Sequence, residues 1–450
     1  MIKGLFKYIA VFFIALAVFL CFRVVSEFIS KDAMREHMLS SADKMCENSV
    51  GVELMKGVPG SQLDRYADSV WLNIAWHSDA KNPFSSAMWS SYYILRKSYE
   101  TDGANRDLRD TVNDDREKNI EYLRYWHGPV TIIRFFHLFT DVGGMYTVNI
   151  VLLSLLYAGL LILMWKKSLL KEAICLVVSL LMVGIVFVPF CLEFVWNFYI
   201  VGIVSILTVV WGTKARYKRL FTTFLVTGMA TNFFDFLTTE ILTLLVPLLL
   251  LLAIRSKNAP TDEKLSPLKI SLKSGILWAV GYCGMWVMKW VVASVILGTS
   301  AMPYVTGHIS QRIGTSTISV GNPIKALVSN AITILPVGIG DLWAILTLVA
   351  IIILICFIIV YKKKSIKKEY IVLYGIIALI PYIRYLVMND HSTVCFTFTY
   401  RSQMATVLAI GLITLEMVCD NTPKKDRKKG KIEKNSKTIK KMRQYSCISN

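Results

Sequence analysis

Residues 146–164, YTVNIVLLSLLYAGLLILM, decide the class of fold because they contain no charged side chain. About 20 such residues, at a rise of 1.5 Å each, cross the hydrocarbon core of a bilayer. Similar runs recur along the 450-residue chain, which is 54% hydrophobic, more than the water-facing surface of a soluble domain allows. We therefore predict an all-α, polytopic membrane protein with about ten transmembrane helices. Their predicted bounds are 5–23, 146–164, 173–190, 194–211, 219–236, 239–254, 274–298, 341–361, 370–388 and 402–419.

Lysine and arginine set the predicted orientation, since short cytoplasmic loops retain these residues. With the first residues inside, every connection between spans follows this rule. The short outer turns near 190–193 and 234–240 contain neither residue. The inner connections hold Lys166, Lys167, Lys171, Lys214, Arg216, Lys218, Arg219, Arg255, Lys257, Lys264, Lys269, Lys273, Lys362, Lys363, Lys364, Lys367 and Lys368. We therefore predict a plasma-membrane protein with both termini in the cytoplasm.

The chain divides into four parts on these predictions. An uncleaved anchor span, 1–23, precedes a large helical extracytoplasmic loop domain, 24–145. A transmembrane bundle, 146–419, includes a second outer loop at 299–340. The tail, 420–450, is predicted to be disordered and polybasic; it supplies much of the net charge of +19. It should rest on the anionic inner leaflet, at about 1 kcal/mol per basic residue, and it lacks the folded aromatic site that nucleic acid would need.

The first outer loop is expected to be helical at 31–47, 61–77, 86–99 and 113–126. Glycine and proline separate these helices, for example at Pro83 and Gly103. The nine cysteines have no metal-binding spacing, although Cys46 and Cys395 would both face outside, and their pairing is left open.

Two outer segments carry candidate carboxylates. In DRYADSVWLNIAW, 64–76, Asp64 and Asp68 are four residues apart and share one helix face, close to Trp71. A carboxylate beside an aromatic ring suits a sugar, although an ordinary amphipathic helix gives the same pattern. In NFFDFLTTE, 232–240, Asp235 lies at membrane depth, where a carboxylate is costly and usually has a partner or a function. A helix cap for the following span is the alternative for Asp235.

The candidate binding residues are basic or aromatic. His127 follows Tyr125 and Trp126 in YLRYWHG, where an interfacial aromatic belt explains the two aromatic residues but not the histidine. Lys289 lies inside a predicted span, where it would snorkel outward, pair with Asp235 or Asp68, or hold a lipid phosphate. The outer turn NDHSTVCFTFTYR, 389–401, gathers further polar residues near Arg384. The full set of predicted binding residues is His127, Arg134, Lys289, His391, Tyr400 and Arg401.

These residues share the predicted outer side of the membrane, which suits a substrate that is half lipid and half sugar. In a polyprenyl-phosphate sugar, basic residues would hold the phosphate and a carboxylate would deprotonate the acceptor hydroxyl. Membrane lipid and this lipid-linked sugar are therefore the predicted partners. The cofactor is left open, with a divalent cation as one option.

The order of one span, a large outer loop with an early acid and a many-span bundle resembles the GT-C class of integral-membrane glycosyltransferases. The resemblance covers most of the chain at the level of architecture. In that class the catalytic Asp or Glu lies in the first outer loop, which implies Asp68, with Asp64 second; Asp235 is a third candidate. The segments YWHG, NFFDFLTT and NDHS…FTYR are similar to polytopic proteins of low-GC Gram-positive bacteria.

Three other functions fit the same sequence. A polysaccharide polymerase would depend chiefly on Arg384 and Arg401, and a flippase-like transporter would need basic residues along a mid-membrane cavity, where only Lys289 qualifies. A non-enzymatic membrane protein with an outer sensor domain predicts instead that Asp68, Asp235 and His391 scatter.

Overall fold

The computed structural model describes residues 2–96, 102–258, 265–312, 322–335 and 367–418. The predicted all-α class is confirmed there, since the described residues contain only two strands, β1 (Gly51–Glu53) and β2 (Gln62–Asp64), paired antiparallel. Helix α1 (Ile2–Ser26) coincides with the predicted anchor, and the outer region that follows it contains α2 (Lys31–Cys46), α3 (Arg65–Trp76), α4 (Pro83–Trp89), α5 (Gly103–Asp114) and α6 (Gly128–Phe136). Those that follow are α7 (Val142–Lys166), α8 (Leu170–Met182), α9 (Leu192–Gly212), α10 (Tyr217–Phe234), α11 (Leu242–Asn258), α12 (Pro267–Leu297), α13 (Met302–Arg312), α14 (Pro323–Thr333), α15 (Lys368–Val387), α16 (Asn389–Val394), α17 (Phe396–Thr399) and α18 (Met404–Val418).

Five of the described helices are long and apolar enough to cross a membrane: α1 from Leu5 onward, α7, α9, α12 and α15. Helices α8, α11 and α18 coincide with predicted spans but have only 13, 17 and 15 residues. Helix α10 has 18 residues, and its first turn contains Lys218 and Arg219. The predicted span 341–361 and the tail 420–450 lie outside the described residues. The count of about ten spans is therefore not confirmed, while the membrane class is supported.

Close helix packing holds the bundle together, and the tightest approach joins α10 to α12. A Cβ atom on Gly228 would lie 2.0 Å from the Trp278 carbonyl oxygen, and one on Gly281 would lie 2.1 Å from that of Leu225. Only glycine fits at both positions, since any side chain would push the two backbones apart. Helix α15 likewise packs on α18.

In the outer region, two predicted helices are confirmed, as α2 and α3. The helices predicted at 86–99 and 113–126 differ from the structure. Helix α4 ends at Trp89, so the described residues 90–96 of the helix predicted at 86–99 are not helical. The helix predicted at 113–126 is wrong. Asp115 adopts a left-handed conformation, with φ of 50°, that ends α5, and the Ile120 N–H then donates to the Tyr92 carbonyl oxygen at 3.0 Å. Helix α5 itself begins at Gly103, where a break was expected.

The hairpin β1–β2 is held against the membrane bundle at Gly60. The Tyr400 hydroxyl lies 3.1 Å from the Gly60 carbonyl oxygen, and the Arg401 guanidinium donates to the same oxygen at 2.9 Å. This anchor fixes where β2 ends and α3 begins, and so fixes the position of Asp64. Cys46 and Cys395 are both free thiols.

Candidate functional site

A polar cavity of about 510 Å³ lies where the outer region meets the ends of the bundle helices. We call it the outer cavity. Its walls come from the start of α3, the extended segment that follows α5, the start of α9, the end of α13 and helices α16 and α17. The lining residues are Asp64, Tyr66, Ala67, Val70, Tyr92, Ile120, Glu121, Tyr122, Arg124, Tyr125, Glu193, Phe236, Arg312, His391, Cys395 and Phe398.

Two carboxyl groups, Asp64 and Glu193, contact each other in the outer cavity. Asp64 caps α3, its Oδ1 accepting from the Ala67 N–H at 3.0 Å, and its carboxyl is also hydrogen-bonded to that of Glu193. Burial raises the pKa of Asp64 to about 6, and the charge of Asp68 adds to this rise. Glu193 is only 7% exposed, and its Oε2 has no hydrogen-bond partner among the described residues. The pair therefore offers both a proton acceptor near neutral pH and an unfilled acceptor atom.

His391 approaches the cavity from α16. Its side chain is 2% exposed, and within the described ranges its Nδ1 has no hydrogen-bond partner. Burial holds the pKa of His391 well below its usual range, and the charges of Arg312 and Arg384 lower it further. The imidazole is therefore neutral, with one ring nitrogen available to a polar ligand.

Two arginines, Arg124 and Arg312, add positive charge to the lining. The Arg124 guanidinium lies 4.3 Å from the centre of the Tyr122 ring and donates to the Tyr122 hydroxyl at 3.1 Å. Arg312, the last residue of α13, is hydrogen-bonded to Tyr125. Tyrosine rings therefore orient both guanidinium groups, whose planar forks suit phosphate oxygens.

An apolar groove of about 210 Å³ adjoins the outer cavity. It shares Arg124, Tyr125 and Arg312 with the cavity, and its other walls are apolar. Those walls are Leu237, Trp286, Trp290, Val305, Ile309 and Met388. A polar compartment and an apolar one thus meet at two arginines.

Asp68, which the family resemblance implied to be the catalytic residue, lies one turn behind Asp64 and does not line the cavity. It is fully buried, accepts from the Tyr146 hydroxyl at 2.7 Å and from the Glu193 N–H at 3.2 Å, and lies 3.5 Å from the Arg65 guanidinium. Asp68 therefore fixes the start of α9 and, through it, Glu193.

Asp235 and His127 lie next to lining residues but outside the lining itself. Asp235 ends α10 and accepts from the Asn197 amide at 2.7 Å and from the Thr238 N–H at 3.1 Å. Asp235 therefore ends the preceding helix, and it does not cap the following span, whose helix α11 begins only at Leu242. His127 bonds through Nε2 with the Tyr122 carbonyl oxygen at 2.8 Å, and its ring lies 4.9 Å from that of Phe236.

The remaining predicted binding residues contact the chain itself. Arg134 donates to the Ser26 carbonyl oxygen at 2.8 Å, and Lys289 donates to that of Met88 at 2.9 Å. Arg401 donates to Gly60, and Tyr400 to the Gly60 or Val183 carbonyl oxygen. Of the six predicted binding residues, His391 alone lines the outer cavity.

Sequence reasoning missed Glu193 and Arg312. The signal for Glu193 was present, because it is a carboxylate at the start of an apolar run, as Asp235 is at the end of one. Arg312 lies in the second outer loop, where no pattern separates it from its neighbours. Among the described residues, no group of three or more His, Cys, Asp or Glu side chains is placed to hold a metal ion.

The fold and the site define a helical protein of membrane type with a polar cavity at one end of its bundle. No family model, curated protein or solved structure matches the chain.

Proposed function

We propose that the protein is a membrane-embedded glycosyltransferase that uses a polyprenyl-phosphate-linked sugar at the outer face of the cell membrane. It would act in assembly or decoration of a cell-surface glycan, with about ten spans and both termini in the cytoplasm. The observation that supports the proposal is the junction of the outer cavity with the apolar groove at Arg124, Tyr125 and Arg312. A lipid-linked sugar has the matching order of parts: a hydroxylated head, an anionic phosphate and an apolar tail.

The phosphate is assigned to the two arginines at the junction. The tail extends between Trp286, Trp290 and Ile309, and the sugar enters the cavity towards the tyrosines that line it. An aromatic ring covers the C–H face of a sugar while hydroxyl and carboxyl groups bond to its oxygens.

Asp64 is the proposed base. The acceptor hydroxyl oxygen bonds to the anomeric carbon while its proton passes to Asp64, and the bond from that carbon to the phosphate oxygen breaks. Polyprenyl phosphate leaves with the bonding electrons, and Arg124 and Arg312 stabilise its charge. Asp68 acts as a positioning residue, because it fixes the backbone of Glu193.

The non-enzymatic sensor alternative keeps its prediction, since of Asp68, Asp235 and His391 only His391 lines the outer cavity. The flippase and polymerase alternatives have less support. Lys289, which a flippase would need along its path, is fully buried and donates to the Met88 carbonyl oxygen. Arg384, which a polymerase would use, is bonded to both carboxylate oxygens of Glu240 at 2.8 and 3.2 Å.

The test is sugar transfer by the purified full chain in lipid nanodiscs, with a labelled polyprenyl-phosphate sugar as donor and a water-soluble sugar phosphate in parallel. Transfer is expected from the lipid-linked donor alone. Arg312→Gln should raise the KM for the donor about 10- to 100-fold, as loss of a hydrogen bond to a charged group does. Arg106→Gln is the matched control, because Arg106 is 54% exposed and pairs with Asp102 away from the cavity. Equal KM values for the two variants would contradict the phosphate site.

A further inference from the structure

A second cavity, of about 470 Å³, lies at the far end of the bundle from the outer cavity. We call it the inner cavity. Tyr374, which lines it, precedes Arg384 on α15 by ten residues, a separation of about 15 Å along a helix. Glu416 lines it near the end of α18, whose start follows Arg401. The inner cavity therefore lies near the opposite membrane surface.

Charges of both signs line the inner cavity. Two carboxylates, Glu172 and Glu416, are 9% and 8% exposed, and two lysines, Lys171 and Lys257, lie beside them. The Lys257 ammonium is 3.3 Å from the Glu172 carboxylate, and Glu416 accepts from the Ser256 hydroxyl. A ligand with one charge would meet repulsion from half of this lining, whereas a zwitterion would meet both signs favourably.

The Tyr374 hydroxyl marks a place for a ligand atom. The side chain is fully buried, yet within the described part of the chain its Oη has no hydrogen-bond partner. A buried hydroxyl without a partner is costly, so the missing partner is expected to be a bound group.

Apolar side chains at the edge of the same cavity favour a lipid over a soluble ligand. Trp165 and Leu170 line it and are 64% and 53% exposed, at the level where helices α7 and α8 meet the membrane surface. Leu412 and Leu415 line its other side.

We propose that the inner cavity binds the headgroup of a phospholipid whose only charges are one phosphate and one primary ammonium, namely phosphatidylethanolamine. The ammonium donates to Glu172 and Glu416, the phosphate lies against Lys171 and Lys257, and the Tyr374 hydroxyl donates to a phosphate or ester oxygen. A choline headgroup has no N–H to donate to the carboxylates, and a headgroup without a cation would face them unpaired. The proposal uses the proposed membrane position of the helix ends but not the proposed glycosyl transfer.

The test is lipid binding by the delipidated full chain in detergent, followed by native mass spectrometry and by Trp fluorescence. Short-chain phosphatidylethanolamine is compared with phosphatidylcholine, phosphatidylglycerol and free phosphoethanolamine. We expect phosphatidylethanolamine to bind at least tenfold more tightly than the other two lipids. Binding of phosphoethanolamine with equal affinity would identify a soluble headgroup as the ligand and overturn the lipid assignment.

Two substitutions in the lining distinguish a loss of lipid binding from a general loss of stability. Tyr374→Phe should weaken phosphatidylethanolamine binding about 2- to 12-fold, as loss of one hydrogen bond does, without lowering the melting temperature of the lipid-free protein. Tyr370→Phe, one turn earlier on α15 and outside the lining, is its control. Glu416→Gln keeps an acceptor for Ser256 and should remove the preference over phosphatidylcholine. Equal affinities for all three lipids, or equal effects of the two tyrosine variants, would overturn the proposal.

Discussion

The outer cavity and the buried polar side chains that contact only other residues outside its lining, which we call the polar layer, use the same residue types to different ends. In the polar layer, Arg134, Lys289 and Arg384 are buried and donate to carbonyl or carboxylate oxygens of the chain itself. In the outer cavity, Glu193 and His391 are equally buried, yet each keeps a polar atom without a partner among the residues described. A costly polar side chain at membrane depth therefore indicates a function only when the chain does not supply its partner.

The largest expected effect distinguishes Asp64 from Asp68. Asp64→Asn should lower the rate of sugar transfer about 10²- to 10⁴-fold, the contribution of a general base. Its effect on folding should be small, because asparagine caps a helix as well as aspartate does. The measurements are the initial rate of transfer and the melting temperature of the same sample.

Asp68→Asn is the matched comparison. It removes a buried charge that pairs with Arg65 and accepts from Tyr146, so its main effect should be on stability. A variant Asp68→Asn that folds normally and loses all transfer, beside an active Asp64→Asn, would reverse the assignment of the base.

The second effect concerns the polar layer alone. Arg384→Met leaves the Glu240 carboxylate buried without its partner, so it should lower the free energy of unfolding by about 3–5 kcal/mol. Adding Glu240→Leu should restore much of the loss, because the double variant buries no unpaired charge. Unfolding in graded denaturant-detergent mixtures measures both. If the double variant were no more stable than Arg384→Met, the unpaired Glu240 carboxylate would not be the cause of the loss of stability in Arg384→Met.

The third effect follows from the raised pKa of Asp64. A base works in its deprotonated form, so transfer should be constant above about pH 7 and fall about tenfold per pH unit below a pKa of about 6. The pH profile of kcat/KM measures this, with residual transfer by Asp64→Asn expected to be flat over the same range. A wild-type profile that falls only below pH 4 would exclude Asp64 as the base.

Much of the fold was predictable because long apolar runs have one structural solution in a membrane. Helices α7 and α9 follow directly from 146–164 and 194–211. The segment 113–126 was not predictable, because its path depends on the Tyr92–Ile120 bridge, a contact between distant parts of the chain. The same limit applies to the site. Asp64 and His391 were predicted from residue type. The preference for Asp64 over Asp68 depends on which carboxylate reaches the outer cavity and which is covered by Tyr146 and the start of α9, and only tertiary packing decides that.

The smallest expected effect tests whether the polar layer merely supports the cavity. Tyr400→Phe removes a hydroxyl that lies 3.1 Å from the Gly60 carbonyl oxygen and 3.0 Å from that of Val183, and should cost about 1 kcal/mol of stability. Arg401 still donates to Gly60, so Asp64 should keep its place and the KM for the donor should not change. Melting temperature and transfer kinetics measure the two effects. Tyr382→Phe is the control, since it also removes one tyrosine hydroxyl that is hydrogen-bonded within the chain, to the Gln403 side-chain oxygen at 3.1 Å. Among the described residues, the Tyr400 hydroxyl contacts the Gly60 and Val183 carbonyl oxygens. A raised KM in Tyr400→Phe at normal stability would show that Tyr400 binds substrate and belongs with the outer cavity rather than with the polar layer.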